Sequence, residues 1–451
     1  MRAIAALRAL PVMAVVFTLI LIAQGQANEN AGQSLNVVKV VSPGGIEAWL
    51  VSDHINPIIN VRFAFKGGAS LDPEGKEGLA SMVSSLLDEG AADLDSQSFQ
   101  RRLEDLSITV RFDAGRDTFR GRMKTLSENK DQAFALLAAA LNAPRFDEEP
   151  VKRIRGQILA GLRNDLEDPD SVAGLTLAKE IFPDHPYGRP VEGTLGTIPA
   201  ITTDDLKIFV AERMARDNLI IAVVGDIKPD ELSRRLDKVF LPLPAISKPA
   251  TIKEARPQIT GGTKVIKMAV PQSAIVFAQK GPKRDDPDFY TVFVLNHILG
   301  GGGFTSRLYD EIREKRGLAY SIGSYLYPLE RVGLIQGYGG TANKRVGETL
   351  KVLKSEWRRM AEKGTTAEVL ADTKTFLTGS FPLRLTSSGR IASILVSMQL
   401  EELGIDYLAR RNKFIEQVTL QDVNRLAKTV LDPDNLVVVV VGAPEGVAST
   451  R

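Results

Sequence analysis

The chain repeats itself once, and that repeat limits its architecture more than any other feature. Residues 217–225, DNLIIAVVG, return as DNLVVVVVG at 434–442, an offset of 217. The segments ITTDDL, from Ile201, and VTLQDV, from Val418, precede the two copies at the same distance. In each copy Thr202 or Thr419 is placed to cap a helix whose first turn carries Asp205 or Asp422. The helix leads into a run of branched residues of the kind found in strands buried on both faces. A chain built this way predicts two homologous domains, each ending in helix, turn and strand. Between the copies, residues 241–262 carry Pro242, Pro244, Pro249 and Pro257 with little apolar periodicity, which predicts an extended linker. The expected domains are 35–240 and 263–446.

Within each half, strands and helices mix rather than alternate strictly. Val61, Phe63 and Phe65 alternate with Arg62 and Ala64 as in a half-buried strand, and Leu79, Met82, Val83, Leu86 and Leu87 give 76–89 a helical period. Residues 110–123 read as two short strands around Gly115, and 132–141 as an Ala/Leu-rich helix. In the second half the expected helices lie near 287–299, 305–315 and 346–362, and the strands near 318–326 and 331–339. The pattern is α+β.

Composition narrows the function. With 44% hydrophobic and 25% charged residues, the 451-residue chain is neither disordered nor a polytopic membrane protein. Lys plus Arg minus Asp plus Glu is 57 − 55 = +2, a surplus matched by Arg2 and Arg8 at the extreme N-terminus. A remainder that is neutral and has only two Trp offers no basic stripe or stacking platform for nucleic acid. Zero Cys excludes disulfides, thiolate zinc sites and a Cys nucleophile. Residues 1–27 read as a signal peptide: Arg2 and Arg8 form the basic region, 9–23 the apolar run, and Gly25-Gln26-Ala27 the cleavage site. Its rival is a membrane anchor, but an apolar run interrupted by Pro11 falls short of the roughly 20 residues that span a bilayer. Cleavage after about Ala27 predicts a soluble, periplasmic protein.

The segment 63–91, FAFKGGASLDPEGKEGLASMVSSLLDEGA, resembles the start of the pitrilysin-type zinc peptidases, or inverzincins, which include mitochondrial processing peptidase. In active members of that family the helix after Gly-Leu-Ala carries H-x-x-E-H, two zinc-ligating histidines one turn apart with a Glu that activates water. Laid on that pattern, Ser81 and Ser85 stand at the histidine positions, Ser84 at the Glu and Gly161 at the family's further Glu ligand. The resemblance continues through HPYGRPVEGTLGTI from His185 and through GGGFTSRLYDEIREKRGLAYSIGSYLY at 301–327. It implies two pitrilysin-like domains, each a mainly antiparallel sheet packed with helices, together forming half of a clam-shell. It also implies no metal on this chain. In the family an Arg and a Tyr seven residues apart in the C-terminal domain reach the substrate carbonyl near the zinc, and Arg313 and Tyr320 occupy both places.

A fixed guanidinium and a phenolic hydroxyl can stabilise the oxyanion formed when water attacks a peptide carbonyl, and neither needs a metal on its own chain. The expected function is therefore a non-metal-binding subunit of a heteromeric zinc endopeptidase, with zinc and H-x-x-E-H on a homologous partner and a peptide or unfolded polypeptide as substrate. Two other functions fit the same residues: a structural or assembly subunit without catalytic role, and a stand-alone envelope protein that binds extended peptides at a sheet edge. On residue type alone, Arg313 also reads as a solvated helix residue and Tyr320 as core filling. His54, His185 and His297 are scattered and read as structural, the serines as surface, and 300–303 as a turn before a helix or a mobile loop near the substrate chamber.

Overall fold

The computed structural model describes residues 35–248 and 251–451, so the predicted signal segment 1–27 lies outside the described residues. Both halves build the same sheet. In the first, β1 (Val38–Val41), β2 (Glu47–Ser52), β3 (Ile58–Lys66), β4 (Thr109–Ala114), β5 (Thr118–Leu126) and β6 (Leu219–Gly225) lie in the order β1-β2-β6-β3-β5-β4. In the second, β7 (Thr263–Lys267), β8 (Gln272–Lys280), β9 (Ala319–Leu329), β10 (Val332–Ala342) and β11 (Val437–Gly442) lie in the order β7-β11-β8-β10-β9. Only β2 with β6 and β7 with β11 pair in parallel; the other neighbours are antiparallel. Without β1 the two orders match strand for strand, and the repeated runs, β6 and β11, hold the same inner place. Each ends in glycine for a steric reason seen at Gly225, where φ is +140° and a Cβ would fall 2.0 Å from the Ile58 carbonyl oxygen.

The first-half helices are α1 (Leu79–Ser84), α2 (Ser96–Asp105), α3 (Lys130–Asn142), α4 (Glu148–Glu167), α5 (Pro169–Ile181), α6 (Thr203–Arg213) and α7 (Pro229–Phe240). Those of the second are α8 (Phe289–Asn296), α9 (Val346–Lys363), α10 (Ala367–Gly379), α11 (Ser388–Leu400), α12 (Tyr407–Glu416) and α13 (Leu420–Val430). Thr202 and Thr419 cap α6 and α13, accepting from the Asp205 and Asp422 backbone N–H groups. Residues 241–248 and 251–262 contain no helix or strand.

Each half has its own apolar core on the inner face of its sheet, and the packing repeats in detail. Phe63 on β3 lies against Gly121 on β5 and meets Phe240 edge-on at 5.5 Å. Phe277 on β8 lies against Gly337 on β10 and meets Trp357 edge-on at 5.6 Å. The outer faces are covered by exchange. From α5 of the first half, Ala173, Leu177 and Ile181 pack on Ala274, Ala278, Leu334 and Val439 of the second sheet. From α11 of the second half, Ile391, Ala392, Leu395 and Val396 pack on Trp49, Ala64, Ala222 and Val224 of the first.

This exchange corrects the reading of β3 as half-buried. Ala64 has no exposed surface because α11, more than three hundred residues later, covers the face that alternation assigns to solvent. The helix expected over 76–89 is regular only from Leu79 to Ser84, although all five of its apolar positions are buried. Ser84 and Ser85 donate their hydroxyls back to the Ser81 carbonyl at 2.8 and 3.0 Å, a local bond that competes with helix continuation. In the second half α8 runs into a π-helical turn at His297–Gly301, and the helix expected at 305–315 is π-helical over Tyr309–Glu314.

Leu395 is fully buried between α11 and the first sheet. Leu395→Ala should lower unfolding stability by about 2–5 kcal/mol, measured by urea denaturation. A change under about 0.5 kcal/mol, the size of an ordinary surface substitution, would show that this docking does not hold the halves together.

Candidate functional site

The serine helix is anchored by a buried ion pair at its start. Asp72 anchors its start, accepting from the backbone N–H groups of Gly78 at 3.1 Å and Ala80 at 3.2 Å. Arg213 on α6 reaches the same carboxylate at 3.0 Å, donates to the Leu71 carbonyl at 2.6 Å and lies over the Phe209 ring. Asp72 is only 3% exposed, and burial pushes its carboxyl up to about 6 against the opposing pull of Arg213 and the two N–H groups. Beyond the helix, Glu89 accepts from Arg153 of α4 at 2.5 Å, and Asp88 pairs with Arg111 of β4 at 2.6 Å.

The ligand positions themselves carry no metal chemistry. The Ser84 and Ser85 hydroxyls are directed to the Ser81 carbonyl, and a Cβ at Gly161, an exposed position of α4, would meet nothing within 4 Å. Zinc needs imidazole, thiolate or carboxylate donors, and these residues do not fit it. Among the described residues no cluster of three or more His, Asp or Glu could hold a metal ion.

Arg313 and Tyr320 are assembled separately, on the second-half core. Ile312, Leu318 and Ala319 anchor the intervening chain in that core. The turn carrying Arg313 closes with π-type hydrogen bonding, Lys315 N–H donating to the Asp310 carbonyl at 2.9 Å. Buried Glu311 is satisfied by Lys315 at 2.8 Å and Arg316 at 2.5 Å, and among the described residues the one acidic partner of Arg313 is Glu314, at 3.7 Å. The guanidinium instead lies among three rings, 4.6 Å from the centre of Tyr320, 4.8 Å from that of Tyr309 and 5.9 Å from that of Phe304.

Tyr320 projects because it is a bulge. Ser321 pairs with Gly340 and Ala319 with Thr341, so Tyr320 has no partner on β10. An extra residue of this kind bends a strand and re-aims a side chain. Tyr320 is 80% exposed, which corrects the core-filling reading. Among the described residues neither the Arg313 guanidinium nor the Tyr320 hydroxyl makes a hydrogen bond within the chain.

The three histidines lie apart, each with its own local contacts. His54 meets Asp226 at 2.6 Å, and His185 accepts from the Tyr187 N–H at 3.1 Å. His297 stacks on Phe376, and burial holds its imidazole below the ordinary value. The turn at 300–303 is close-packed at Gly300, where a Cβ would lie 2.3 Å from the Ser324 hydroxyl, and open at Gly303. Sequence reasoning missed Tyr309, whose i, i+4 spacing to Arg313 was available. It also missed the Asp72–Arg213 pair, which nothing local in the sequence reveals.

The description "Insulinase (Peptidase family M16)" matches residues 48–195, and "Peptidase M16 inactive domain" matches residues 200–377. The chain is 28% identical over 420 residues to the non-peptidase homolog YmxG of Helicobacter pylori, covering 92% of this chain and 95% of that one. It is 29% identical over 317 residues to an uncharacterized zinc protease of Streptomyces coelicolor, covering 68% of each. The crystal structure of a peptidase M16 inactive domain from Pseudomonas fluorescens superimposes with a TM-score of 0.84 at 29% identity, covering 92% of this chain and 99% of that one.

The ion pair behind the serine helix gives a pH-dependent prediction. Arg213→Met should destabilise the fold by about 3–5 kcal/mol at pH 7, because it strands a buried carboxylate. A carboxyl whose folded-state pKa is raised favours the fold below that value and loses the contribution as pH rises through it. The deficit should therefore shrink between pH 7 and pH 5, read from denaturation curves of both proteins. A deficit that grows on acidification would show that Asp72 is not the group stranded.

Proposed function

Because the chain belongs to peptidase family M16, we propose that it is the non-metal-binding subunit of a heteromeric zinc endopeptidase of the cell envelope. The observation that carries this reading is the contrast between the two sites. Ser81, Ser84, Ser85 and Gly161 retain a scaffold without ligands or a base. Arg313 and Tyr320 retain a stacked pair, Tyr320 exposed, whose guanidinium and hydroxyl make no hydrogen bond among the described residues.

In this reading the partner chain supplies zinc, H-x-x-E-H and the attacking water. Arg313 and Tyr320 donate to the substrate carbonyl oxygen as it gains negative charge, contacts that strengthen in the transition state and so raise kcat. Stacking between Tyr309 and Tyr320 holds the guanidinium in place before substrate arrives. Export through the 1–27 segment places the complex in the periplasm. No described helix is long and apolar enough to cross a membrane.

The purified chain alone should contain no stoichiometric zinc and hydrolyse no peptide. One equivalent of chelator-sensitive zinc, with activity that survives removal of every other chain, would overturn the assignment. Native purification should bring down a chain of similar length carrying H-x-x-E-H; a clean monomer or homodimer would favour the stand-alone peptide-binding function. In the reconstituted complex, Tyr320→Phe should lower kcat by roughly 10²–10³-fold, as loss of one oxyanion donor does elsewhere. Unchanged turnover, with assembly intact, would leave the structural-subunit reading in front.

A further inference from the structure

Where α5 of the first half crosses the outer face of the second sheet, it stops short of covering it. A cavity of about 230 Å³ remains beside the helix. Its walls are aromatic and aliphatic: Tyr325 and Tyr327 of β9, Tyr338 of β10, Leu177 and Ile181 of α5, and Phe182 just beyond. Tyr325 and Tyr338 are about half exposed, so the mouth is open and ring-lined. Pockets that hold drug-sized ligands run to roughly 300–1,000 Å³. This one is smaller, the scale of a single large side chain.

The surroundings say which side chain. Arg116 stands in the wall, its Nη1 already donating to the carbonyls of Tyr187 at 2.6 Å and Arg189 at 3.0 Å. Its charge disfavours a Lys or Arg in the cavity, while the tyrosine faces favour an aromatic ring.

The cavity and Tyr320 are linked by one strand, β9, which carries Tyr325 and Tyr327 in the cavity wall and Tyr320 near its start. Tyr338 pairs with Gly323, and the next positions toward Tyr320 are Ser321 and Gly340. A Cβ at Gly340 would meet nothing within 4 Å, so the sheet floor is bare and open there. Between Tyr320 and Tyr325 the strand advances roughly 17 Å at about 3.4 Å per residue. An extended peptide lying along that floor with its reacting carbonyl at Tyr320 places a side chain four to five residues away at the mouth.

We propose that this cavity is a specificity subsite for an aromatic side chain of an extended peptide substrate, held four to five residues from the bond presented to Arg313 and Tyr320. The identity of the peptide as substrate rests on the subunit function proposed above; aromatic recognition belongs to this chain alone. Gly174, on α5, lines the cavity from a side where a Cβ meets nothing within 4 Å, so a larger residue there fills the space without displacing the fold.

The test uses the full chain without any partner, and ligand-observed NMR titration with capped ten-residue Gly/Ser peptides carrying one central Phe, Ala or Lys. The Phe peptide should bind roughly tenfold tighter than the other two. In Gly174→Phe, which also improves helix propensity, the preference should fall below about twofold. Tyr338→Ala removes a wall from outside the helix and should weaken the Phe peptide selectively. Failure of the Phe peptide to bind, or a preference that survives both substitutions, overturns the proposal. Because no partner is present, a missing zinc subunit would defeat the function proposed above and leave this result standing.

Discussion

The reciprocal exchange of α5 and α11 is the contact on which the rest of the molecule depends. A sheet of this kind has two apolar faces, and the helices of its own half cover only one. The other would expose Trp49, Val51, Ala222 and Val224 in the first half, or Val437, Val439 and Val441 in the second, to water. Burying such side chains is worth roughly 1.5–3 kcal/mol each for the larger ones, so neither outer face is stable bare. The sheet residues beneath the crossing helices include Ala64, Ala222, Ala274 and Ala278, small enough for a helix to approach closely. The halves therefore fold as one unit, although each has its own core.

That coupling reaches the sites. α4, which carries Gly161, and α5, which docks on the second sheet, are separated by a single residue, Asp168, whose carboxylate caps α5 through the Ser171 N–H at 2.8 Å. The support behind the serine helix is thus tied through one joint to the second sheet, on whose edge strand Tyr320 stands. The Asp72–Arg213 pair adds local order of a different kind. A buried ion pair is weak evidence for net stability, since desolvation of both charges offsets their attraction. Its defined consequence is positional: it fixes where α1 begins, and with it where the three serines stand.

What could be read in the sequence was what local chemistry determines. The branched runs of β6 and β11, the caps at Thr202 and Thr419 and the paired strands around Gly115 all depend on neighbours a few residues away. The burial of Ala64 was hidden because its covering helix begins at Ser388. The bulge at Tyr320 was hidden because it exists only in the register of β9 against β10, and the π-helical turns because their apolar spacing over a few residues looks α-helical. The Arg313–Tyr320 pair was found through family resemblance. Residue type alone gave the wrong environment for Tyr320, since a tyrosine in a strand beside Leu318, Ala319 and Ile322 reads as core until the bulge turns it outward.

The arrangement around Arg313 is best understood by asking what each contact does for this chain alone. Lys315 and Arg316 neutralise buried Glu311, so the fold has no electrostatic need of Arg313. Stacking on Tyr309 and Tyr320 contributes on the order of 0.5–1 kcal/mol per exposed cation–π contact, against the side-chain entropy lost in holding the guanidinium still. These terms nearly cancel. The Tyr320 hydroxyl adds nothing to the balance, since it makes no hydrogen bond among the described residues. The pair is held in place at almost no net gain to the fold that holds it, with its donors unpaired among the described residues. Under the function proposed above, preorganised donors of this kind would have no reorganisation to make when charge develops beside them, and it is the unused groups, rather than the stacked ones, on which that proposal rests.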